Sequence, residues 1–530
     1  MANDCDVAVI GAGHNGLVCA TYLAKAGLKV KVFERRGVVG GAAVTEEFSP
    51  GFRNSICAYT VSLLNKKVVD DLDLYAHGLQ LIERPLSNFL PTDDGGYLKA
   101  HANADKMKAE VARHSAHDAE HLADYEVTIS RLANVLKSFI LETPPNVGGG
   151  VSDLWRLWKT GKRFYGMSIE DQRDFADIMT LSAVEFLDRW FESDPVKALF
   201  AFDGVVGNFA SPYMAGTAYV LLHHCFGDIM KNPGAWGHAI GGMGAITQAM
   251  AHAAREEGVG IETSAPVARV VTDGGKVCGL VLEDGREITA RAVAANTHPK
   301  LLFDKLVSKD VVPLDFLKRI DNFKSVSGTF RMNIALSELP DFKCLPGTNQ
   351  SEHHTAGIIM APSIAYMERA YRDAMDFGWS KKPIVEMLIP STIDPTLAPK
   401  DQHVASLFCQ HFDPKLSMGR SWDDHRDDAA QVIINLVTSH APNFKASILG
   451  TQILSPLDLE REFGLVGGDI FHGSLGVNQL FSMRPTLGHA DYRMPVRGLY
   501  LCGSGAHPGG GVTGAPGHNA AREILKDLQT

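Results

Sequence analysis

Three glycines and one glutamate near the start of the chain have the spacing of a dinucleotide-binding loop. Gly11, Gly13 and Gly16 fit the pattern G-x-G-x-x-G, and Glu34 stands about 20 residues further on. Such glycines let backbone N–H groups approach a pyrophosphate, while the acid accepts hydrogen bonds from a ribose hydroxyl and repels a 2′-phosphate. The pattern predicts a dinucleotide site; a purely structural glycine turn is the alternative interpretation.

The residues around this loop predict the strand–turn–helix–strand unit that the chemistry needs. An apolar run over 7–10 leads into Gly11, apolar residues then recur at helical spacing as far as Gly27, and a second strand-like run, KVKVFE, ends on Glu34. The start of the helix would direct its partial positive charge at the phosphates. The sequence therefore predicts an α/β protein with a Rossmann-type domain.

A second glycine pair favours FAD over NAD as the ligand. Gly40 and Gly41 follow Arg36 in RRGVVGGAAVTEEF. Flavoproteins extend the unit in this way so that a second loop reaches the pyrophosphate and the ribityl chain, and NAD dehydrogenases lack the extension. A glycine-rich turn without a ligand is the alternative here.

The end of the chain is unusually rich in glycine. Seven glycines lie from Gly503 to Gly517, between a strand-like GLYLC and a helix-like HNAAREILKDL. A Rossmann unit covers only the adenosine and pyrophosphate of FAD. We therefore expect this turn to lay its backbone N–H groups against the flavin of the cofactor bound by residues 7–41.

Three motifs carry a family resemblance: VIGAGHNGL…FERRGVVGGAA, GAWGHAIGGMGAITQAM and LYLCGSGAHPGGGVTG. In order and extent they resemble the phytoene desaturase-like flavoproteins, above all the branch of pyridine-nucleotide-disulphide-oxidoreductase-domain proteins of bacteria and mitochondria. The resemblance implies a Rossmann-type FAD-binding domain (1–60, 236–310 and 491–530). It is interleaved with an α+β substrate domain made of a helical cap part (61–235) and an antiparallel-sheet part (311–490).

The resemblance also assigns residues to the cofactor. It implies that Val267 lies near the adenine and Asn296 beneath the flavin. Ala42 replaces an arginine found in many relatives, and Ser504 replaces an aspartate. The cofactor-binding residues predicted are Gly11, Gly13, His14, Asn15, Gly16, Glu34, Arg35, Arg36, Gly40, Gly41, Ala42, Val267, Asn296, Gly503, Ser504, Gly511, Val512 and Gly514.

Candidate catalytic residues are few, because the cofactor carries the difficult step in flavin chemistry. Trp236 and His238 in WGHAIGGMG, and His507 beside the C-terminal turn, are the candidates, with a structural hydrogen-bonded histidine as the alternative reading. His223 and His224 lie in an apolar run and are predicted to be packed. No C-x-x-C and no ligand set appears by spacing, so neither a metal nor disulfide reduction is predicted.

These features predict an FAD-dependent dehydrogenase or desaturase. It would take hydride from an apolar substrate, isoprenoid or polyene in kind, onto flavin N5 and pass the electrons to oxygen or a quinone. Three alternatives stay open: a flavin-dependent double-bond isomerase, an amine oxidase, and a non-catalytic scaffold that FAD stabilises while it binds lipid or protein.

The composition of the chain limits which partners and which cellular location are expected for the protein. A net charge of −10 without a basic run excludes nucleic acid, and eight scattered cysteines favour a reducing, cytoplasmic setting. No window is long and apolar enough for a membrane span. The segment 151–166, VSDLWRLWKTGKRFYG, mixes aromatic and basic residues. It predicts either peripheral membrane contact or, the favoured reading, a packed cap helix; a homo-oligomer stays open.

Overall fold

The computed structural model describes residues 3–227, 229–230 and 236–529, so Gly234 and Ala235 of the second motif lie outside the described residues. The strands are β1 (Cys5–Ile10), β2 (Val30–Phe33), β3 (Thr45–Ser49), β4 (Phe52–Ser55), β5 (Leu81–Glu83), β6 (Asn88–Pro91), β7 (Tyr97–Ala100), β8 (Gly237–Ala239), β9 (Gly260–Glu262), β10 (Val267–Asp273), β11 (Lys276–Leu282), β12 (Glu287–Ala295), β13 (Phe330–Leu336), β14 (Gly357–Met360), β15 (Trp379–Leu388), β16 (His403–Phe412), β17 (Ile448–Leu454) and β18 (Leu499–Leu501).

The helices are joined to these strands by loops and short 3-10 turns. In chain order they are α1 (His14–Lys25), α2 (Lys66–Asp71), α3 (Ala104–Ala112), α4 (Ala116–Ile140), α5 (Val151–Tyr165), α6 (Ile169–Thr180), α7 (Ala183–Leu187), α8 (Asp194–Val205), α9 (Thr217–His223), α10 (Met243–Glu256), α11 (Pro299–Leu301), α12 (Leu314–Asp321), α13 (Ile364–Phe377), α14 (Trp422–His440), α15 (Pro456–Phe463) and α16 (Ala515–Gln529).

The first sheet is built mainly from parallel strands. Its order is β10-β11-β12-β1-β2-β9, with β18 also paired to β12. The pairs β12–β1, β1–β2, β2–β9 and β12–β18 are parallel, and the β10–β11 hairpin is antiparallel. The apolar run CDVAVI of β1 is buried on both faces, because helices cover a parallel sheet on both sides.

The carboxyl ends of four strands meet at one edge of this sheet. Ile10 is level with Phe33 on one side and Ala295 on the other, and Ala295 is level with Leu501. The chain continues from these four ends into Gly11, Glu34, Asn296 and Cys502. In open α/β sheets ligands bind outside this edge, so residues distant in sequence gather at one place.

The second sheet is antiparallel except where β14 pairs with β6. Its order is β17-β13-β16-β15-β14-β6-β7. The strand-like runs expected in the 311–490 part form β15 and β16, while β6 and β7 come from earlier in the chain. Helices α3, α4 and α6 to α9 contribute to a largely separate hydrophobic cluster against this sheet, as expected for a helical cap.

Helix α5 turns its two tryptophans outward and several of its charged residues towards the protein. None of its residues is fully buried; its polar residues Asp153, Arg156 and Arg163 are half-buried, while Trp155 and Trp158 are 62% and 54% exposed. Phe164, by contrast, is half-buried and stacks on Phe139, so the helix does pack on the domain, with its two tryptophans outward. Its charged side faces the protein because it forms ion pairs there, with Glu142 among others.

Within the described residues, no helix combines the length and the hydrophobicity that crossing a bilayer requires. All eight cysteines are free thiols.

Candidate functional site

The N-terminal loop needs glycine at each position of its motif. Gly11 has φ +92°, a conformation that L side chains rarely adopt. A Cβ on Gly13 would lie 2.8 Å from Asn296 Nδ2, and one on Gly16 would lie 2.1 Å from the carbonyl oxygen of Gly11. These contacts keep the loop against β12 and leave the first turn of α1 facing the edge of the sheet.

The carboxylate of Glu34 is held by the backbone on both oxygens. Oε2 accepts from the Ala12 N–H at 2.8 Å and Oε1 from the Arg36 N–H at 2.9 Å. Each oxygen has a further lone pair that can accept a hydrogen bond from a hydroxyl group. The side chain lines the cleft described next, in the position expected of a ribose-binding acid.

A cleft of about 1390 Å³, here called the dinucleotide cleft, runs along this edge of the sheet. Its lining residues from the predicted cofactor set are Gly11, Gly13, His14, Asn15, Glu34, Arg35, Arg36, Gly41, Ala42, Val267, Asn296 and Ser504. Buried polar atoms along it have no protein partner: His14 Nε2, Asn15 Oδ1, Arg36 Nη1, Thr297 Oγ1 and His472 Nδ1. Unsatisfied buried groups of this kind fit a polar ligand such as the pyrophosphate and ribityl chain of FAD.

The second glycine pair supports the first loop rather than standing apart. The Gly40 N–H donates to the carbonyl oxygen of Ala12 at 2.9 Å, and a Cβ on Gly40 would lie 2.7 Å from the carbonyl oxygen of Ala43. Gly41 lies against Gly13. Arg36, which was expected to approach the cofactor, is paired with Glu46 at 2.8 Å and keeps one guanidinium nitrogen without a partner.

The C-terminal turn closes on the start of α1. Ser504 Oγ accepts from Asn15 Nδ2 at 3.1 Å, and a Cβ on Gly503 would lie 2.8 Å from Asn296 Oδ1. Gly511 and Gly514 have φ +107° and +76°, and α16 begins directly after them. The turn therefore packs against the start of α1 and against Asn296, as the hydrogen bond at Ser504 and the close approach of Gly503 show.

Arg484 organises the segment that faces this turn. Its side chain is fully buried and donates to the carbonyl oxygens of Ser504 (2.8 Å) and Phe471 (2.9 Å), and to four others at 3.2–3.3 Å. Burial lowers the pKa of Arg484 to about 10, and the carboxylate of Asp469 acts against that. The guanidinium thus fixes residues 471–479 to the C-terminal turn.

A second space of about 910 Å³, the inner cavity, adjoins the cleft. The two spaces share His14, Ala42, Leu465, His472 and Ser504. Most of the remaining lining is aliphatic or aromatic, including Leu63, Leu64, Val206, Ile246, Ile470 and Phe471. Gly511 and Val512 of the predicted set line this cavity as well. An apolar chamber at the end of a dinucleotide cleft suits a hydrophobic substrate.

The three candidate catalytic residues lie in three different places. Trp236 lines the inner cavity and stacks on His224 at 6.0 Å. His238 is buried outside the lining of both spaces, with Nε2 2.9 Å from Asp394 Oδ2. His507 is buried, bonded to the carbonyl oxygen of Phe139 at 3.0 Å, and lines a separate chamber beneath α5. These positions favour a structural role for His238. Of the three, only Trp236 lines the inner cavity.

The sequence did not reveal several polar residues of the inner cavity. His472, with φ +52°, lines both spaces, and His224, predicted to be packed, is buried yet lines the inner cavity. Burial lowers the pKa of His14, His224 and His472 to about 4 in each case, so these imidazoles are neutral at pH 7. A lone histidine without a motif gives no signal for such a position.

A buried polar cluster joins the inner cavity at Tyr59, which the sequence also did not reveal. The Tyr59 hydroxyl donates to Glu386 Oε2 at 2.5 Å, and the Arg331 guanidinium lies 4.6 Å from the centre of the Tyr59 ring. Burial raises the pKa of Glu386, although Tyr59, Arg84 and Arg331 act against it. The pair brings a carboxyl group within one hydrogen bond of the cavity wall.

Among the described residues, the group His117, Asp118 and Glu192 places three ligand-type atoms within 4.8 Å of one another. The Asp118 carboxylate there accepts from the backbone N–H groups of Glu192 and Ser193, at 2.8 and 3.0 Å. The loop geometry explains this cluster without an ion.

Comparison with known proteins shows the family of this chain. Residues 16–329 match the model of the flavin containing amine oxidoreductase family. The chain is 40% identical to the rat pyridine nucleotide-disulfide oxidoreductase domain-containing protein 2, over 100% of this chain and 95% of the relative. It is 24% identical to a limonene dehydrogenase subunit of Castellaniella defragrans, over 99% of this chain and 95% of that relative.

A solved structure shares the fold across the whole chain. A putrescine oxidase variant superposes with a TM-score of 0.62 at 15% identity, covering 99% of this chain and 98% of that one. The family expected from the three motifs is confirmed, and with it the interleaved α/β fold and FAD as the cofactor. The chain belongs to the flavin containing amine oxidoreductase family.

Proposed function

We propose that this oxidoreductase is a dehydrogenase or desaturase of an apolar substrate, isoprenoid or polyene in kind. The observation that carries the proposal is the apolar inner cavity that shares its inner wall with the dinucleotide cleft. The residues of the dinucleotide cleft would hold FAD, which would supply the redox chemistry, hydride acceptance at N5 and transfer of two electrons to oxygen or a quinone. The similarity to a limonene dehydrogenase, named for a hydrocarbon terpene, supports the substrate class.

The charge of the inner cavity argues against an amine substrate. Among its described lining residues none is acidic, and its histidines are neutral. An ammonium group placed there would lose its hydration without gaining a counter-ion. The likeness to putrescine oxidase, at 15% identity, supports the fold alone.

Loss of hydride from one carbon requires loss of a proton from its neighbour. Tyr59 lines the inner cavity, and its hydroxyl is already hydrogen-bonded to Glu386. A proton can pass from the substrate to the Tyr59 oxygen as the tyrosyl proton moves to Glu386. The same pair favours a second candidate function, double-bond isomerisation, which needs one proton added and one removed with no net redox change.

The first test is anaerobic. The purified holoprotein is mixed with isoprenoid hydrocarbons, and separately with primary amines, while the flavin absorbance is followed. Bleaching by a hydrocarbon supports the dehydrogenase. Bleaching by amines alone contradicts it. If no donor reduces the flavin, the isomerase and the non-catalytic scaffold are the functions that remain.

The second test separates the dehydrogenase from the isomerase. Dithionite-reduced protein is incubated with an isoprenoid alkene in D₂O, and deuterium in recovered alkene is measured. Deuterated, double-bond-shifted product indicates the isomerase. In either reaction we expect Tyr59→Phe to slow turnover about 100-fold or more, the usual weight of a general acid–base group. Tyr366→Phe, which also removes a hydrogen-bonded hydroxyl, from a half-buried tyrosine, is the matched control because Tyr366 lines neither cavity.

We also propose that α5 brings the protein to an anionic membrane surface. Its support is the stacked pair Trp155 and Trp158, exposed beside Lys162, an arrangement that suits the membrane interface. Sedimentation with phosphatidylcholine vesicles containing phosphatidylglycerol tests it. Replacing both tryptophans by serine should abolish sedimentation, whereas Tyr75→Ser, at another exposed aromatic, should not; equal sedimentation of all three proteins contradicts the proposal.

A further inference from the structure

The inner side of α5 covers a chamber distinct from the inner cavity. Its volume is about 740 Å³, part of it open to solvent, and its wall is largely aromatic and aliphatic, including Phe139, Phe164, Phe175, Met179, Leu480 and Phe481. Among the described residues of this wall, the one titratable imidazole is that of His507, which is neutral because burial lowers its pKa to about 4. The wall therefore carries no charge and suits a hydrocarbon chain.

A pocket with several cationic side chains, here called the mouth, adjoins the chamber. Thr160 and Phe481 line both the chamber and this mouth. Of the described residues that line the mouth, four have cationic side chains, Arg156, Lys159, Arg522 and Lys526, and one has a carboxylate, Glu142.

The cations of the mouth are not all neutralised. Lys159 is paired with Glu142 at 3.1 Å, and Lys526 with Glu523 at 2.7 Å. Arg522 is exposed, donates to the carbonyl oxygen of Leu141 at 2.6 Å and forms no ion pair with a described residue. The mouth therefore has excess positive charge where the apolar chamber ends.

At the inner end of the chamber, the ring of His223 lies between the chamber and the inner cavity. The His223 ring lies 5.3 Å from the ring of Phe226, which lines the chamber, and 5.5 Å from that of Phe471, which lines the inner cavity. Burial lowers the pKa of His223 to about 3, so the partition is uncharged as well.

We infer that the chamber and its mouth bind a long-chain amphiphile with a carboxylate head, of the fatty-acid class. The hydrocarbon tail lies in the chamber beneath α5, and the carboxylate lies at the mouth beside Arg522 and Lys159. The chamber shares no described lining residue with the inner cavity, so this inference does not depend on the proposed function.

Equilibrium dialysis of the holoprotein with radiolabelled palmitate tests the site. We expect one saturable equivalent, and weaker binding of hexadecanol, which has the same tail without the charge. Thr160→Trp fills the junction of chamber and mouth and should abolish palmitate binding. Gly161→Trp is the matched control: it adds the same side chain one residue further, where nothing lies within 4 Å of a Cβ, and should leave binding unchanged.

A charge variant tests the position of the head group. Arg522→Gln should weaken palmitate binding about three- to fivefold, the range for a partly exposed ionic contact, and leave hexadecanol unaffected. Absence of saturable palmitate binding, or binding that Thr160→Trp and Gly161→Trp reduce equally, overturns the inference. Because dialysis does not depend on flavin reduction, these results stand whether or not isoprenoids bleach the flavin.

Discussion

Replacing Glu34 by glutamine tests the cofactor site most directly. The carboxylate accepts one backbone N–H on each oxygen, from Ala12 at 2.8 Å and from Arg36 at 2.9 Å. An amide offers only one oxygen. Its NH₂ group, itself a donor, would therefore face one of the two backbone N–H donors, whose position is fixed by the fold. A hydrogen bond to a charged group contributes roughly 1.5–3 kcal/mol, and we expect the apo-protein to lose about that much stability.

FAD affinity should fall as well, because the amide NH₂ cannot accept from a ribose hydroxyl. A second loss of roughly 1.5–3 kcal/mol corresponds to a Kd raised about 10- to 100-fold. Thermal unfolding of the apo-protein and fluorescence titration with FAD measure the two effects. Glu283→Gln is the control, since Glu283 lines the same cleft but its side chain is exposed. Unchanged FAD affinity in Glu34→Gln, or an equal loss in Glu283→Gln, would refute the assigned role.

Three further predictions follow from the site. Gly503→Ala places a Cβ 2.8 Å from Asn296 Oδ1 and should lower the FAD content of the purified protein, whereas Gly161→Ala, in open space, should not; equal FAD content contradicts the close approach. Arg484→Met removes a fully buried donor to six carbonyl oxygens and should lower the free energy of unfolding by about 3–5 kcal/mol. Thermal unfolding should show a lower midpoint, with release of FAD. A midpoint equal to that of the wild type would show that the network contributes little. His472 has a folded-state pKa of about 4 against an ordinary 6.5, so the unfolded chain binds the proton first. Stability should therefore be full above pH 6.5 and decline as the pH falls towards 4, by about 3 kcal/mol for this one group, and His472→Asn should flatten that decline in thermal midpoints measured against pH.

The N-terminal half of the cofactor site was predictable because its determinants are local. The glycines of the first loop, the apolar strand before it and Glu34 lie within one βαβ unit, and short-range sterics dictate what such a loop can do. The C-terminal turn was predictable for a related reason: seven glycines between a strand and a helix need a ligand or a close backbone approach to justify them. Both expectations agree with the observed edge, where Ile10, Ala295 and Leu501 lie level.

The orientation of α5 was not predictable from its own sequence. Its aromatic and basic residues alternate on two sides, and a hydrophobic pattern alone assigns the aromatic side to the core. Glu142 on the loop before α5 and the buried Glu523 of α16 pair with its arginines instead, and Glu523 is distant from the helix in the sequence. The helix therefore turns several charged residues towards the protein, while Thr160 and Phe164 line the chamber beneath it.

The sequence by itself determined the cofactor and the fold class, because a glycine loop, a helix start and an acid at fixed spacing together are typical of a dinucleotide-binding βαβ unit. It did not determine the inner cavity. His472 with its left-handed backbone, the Tyr59–Glu386 pair and the carbonyl network of Arg484 belong to segments separated by tens to hundreds of residues. Only the packing of the two sheets and the helical cap brings them together, since a buried polar group acquires its pKa, its partners and its function from neighbours that are distant in the chain.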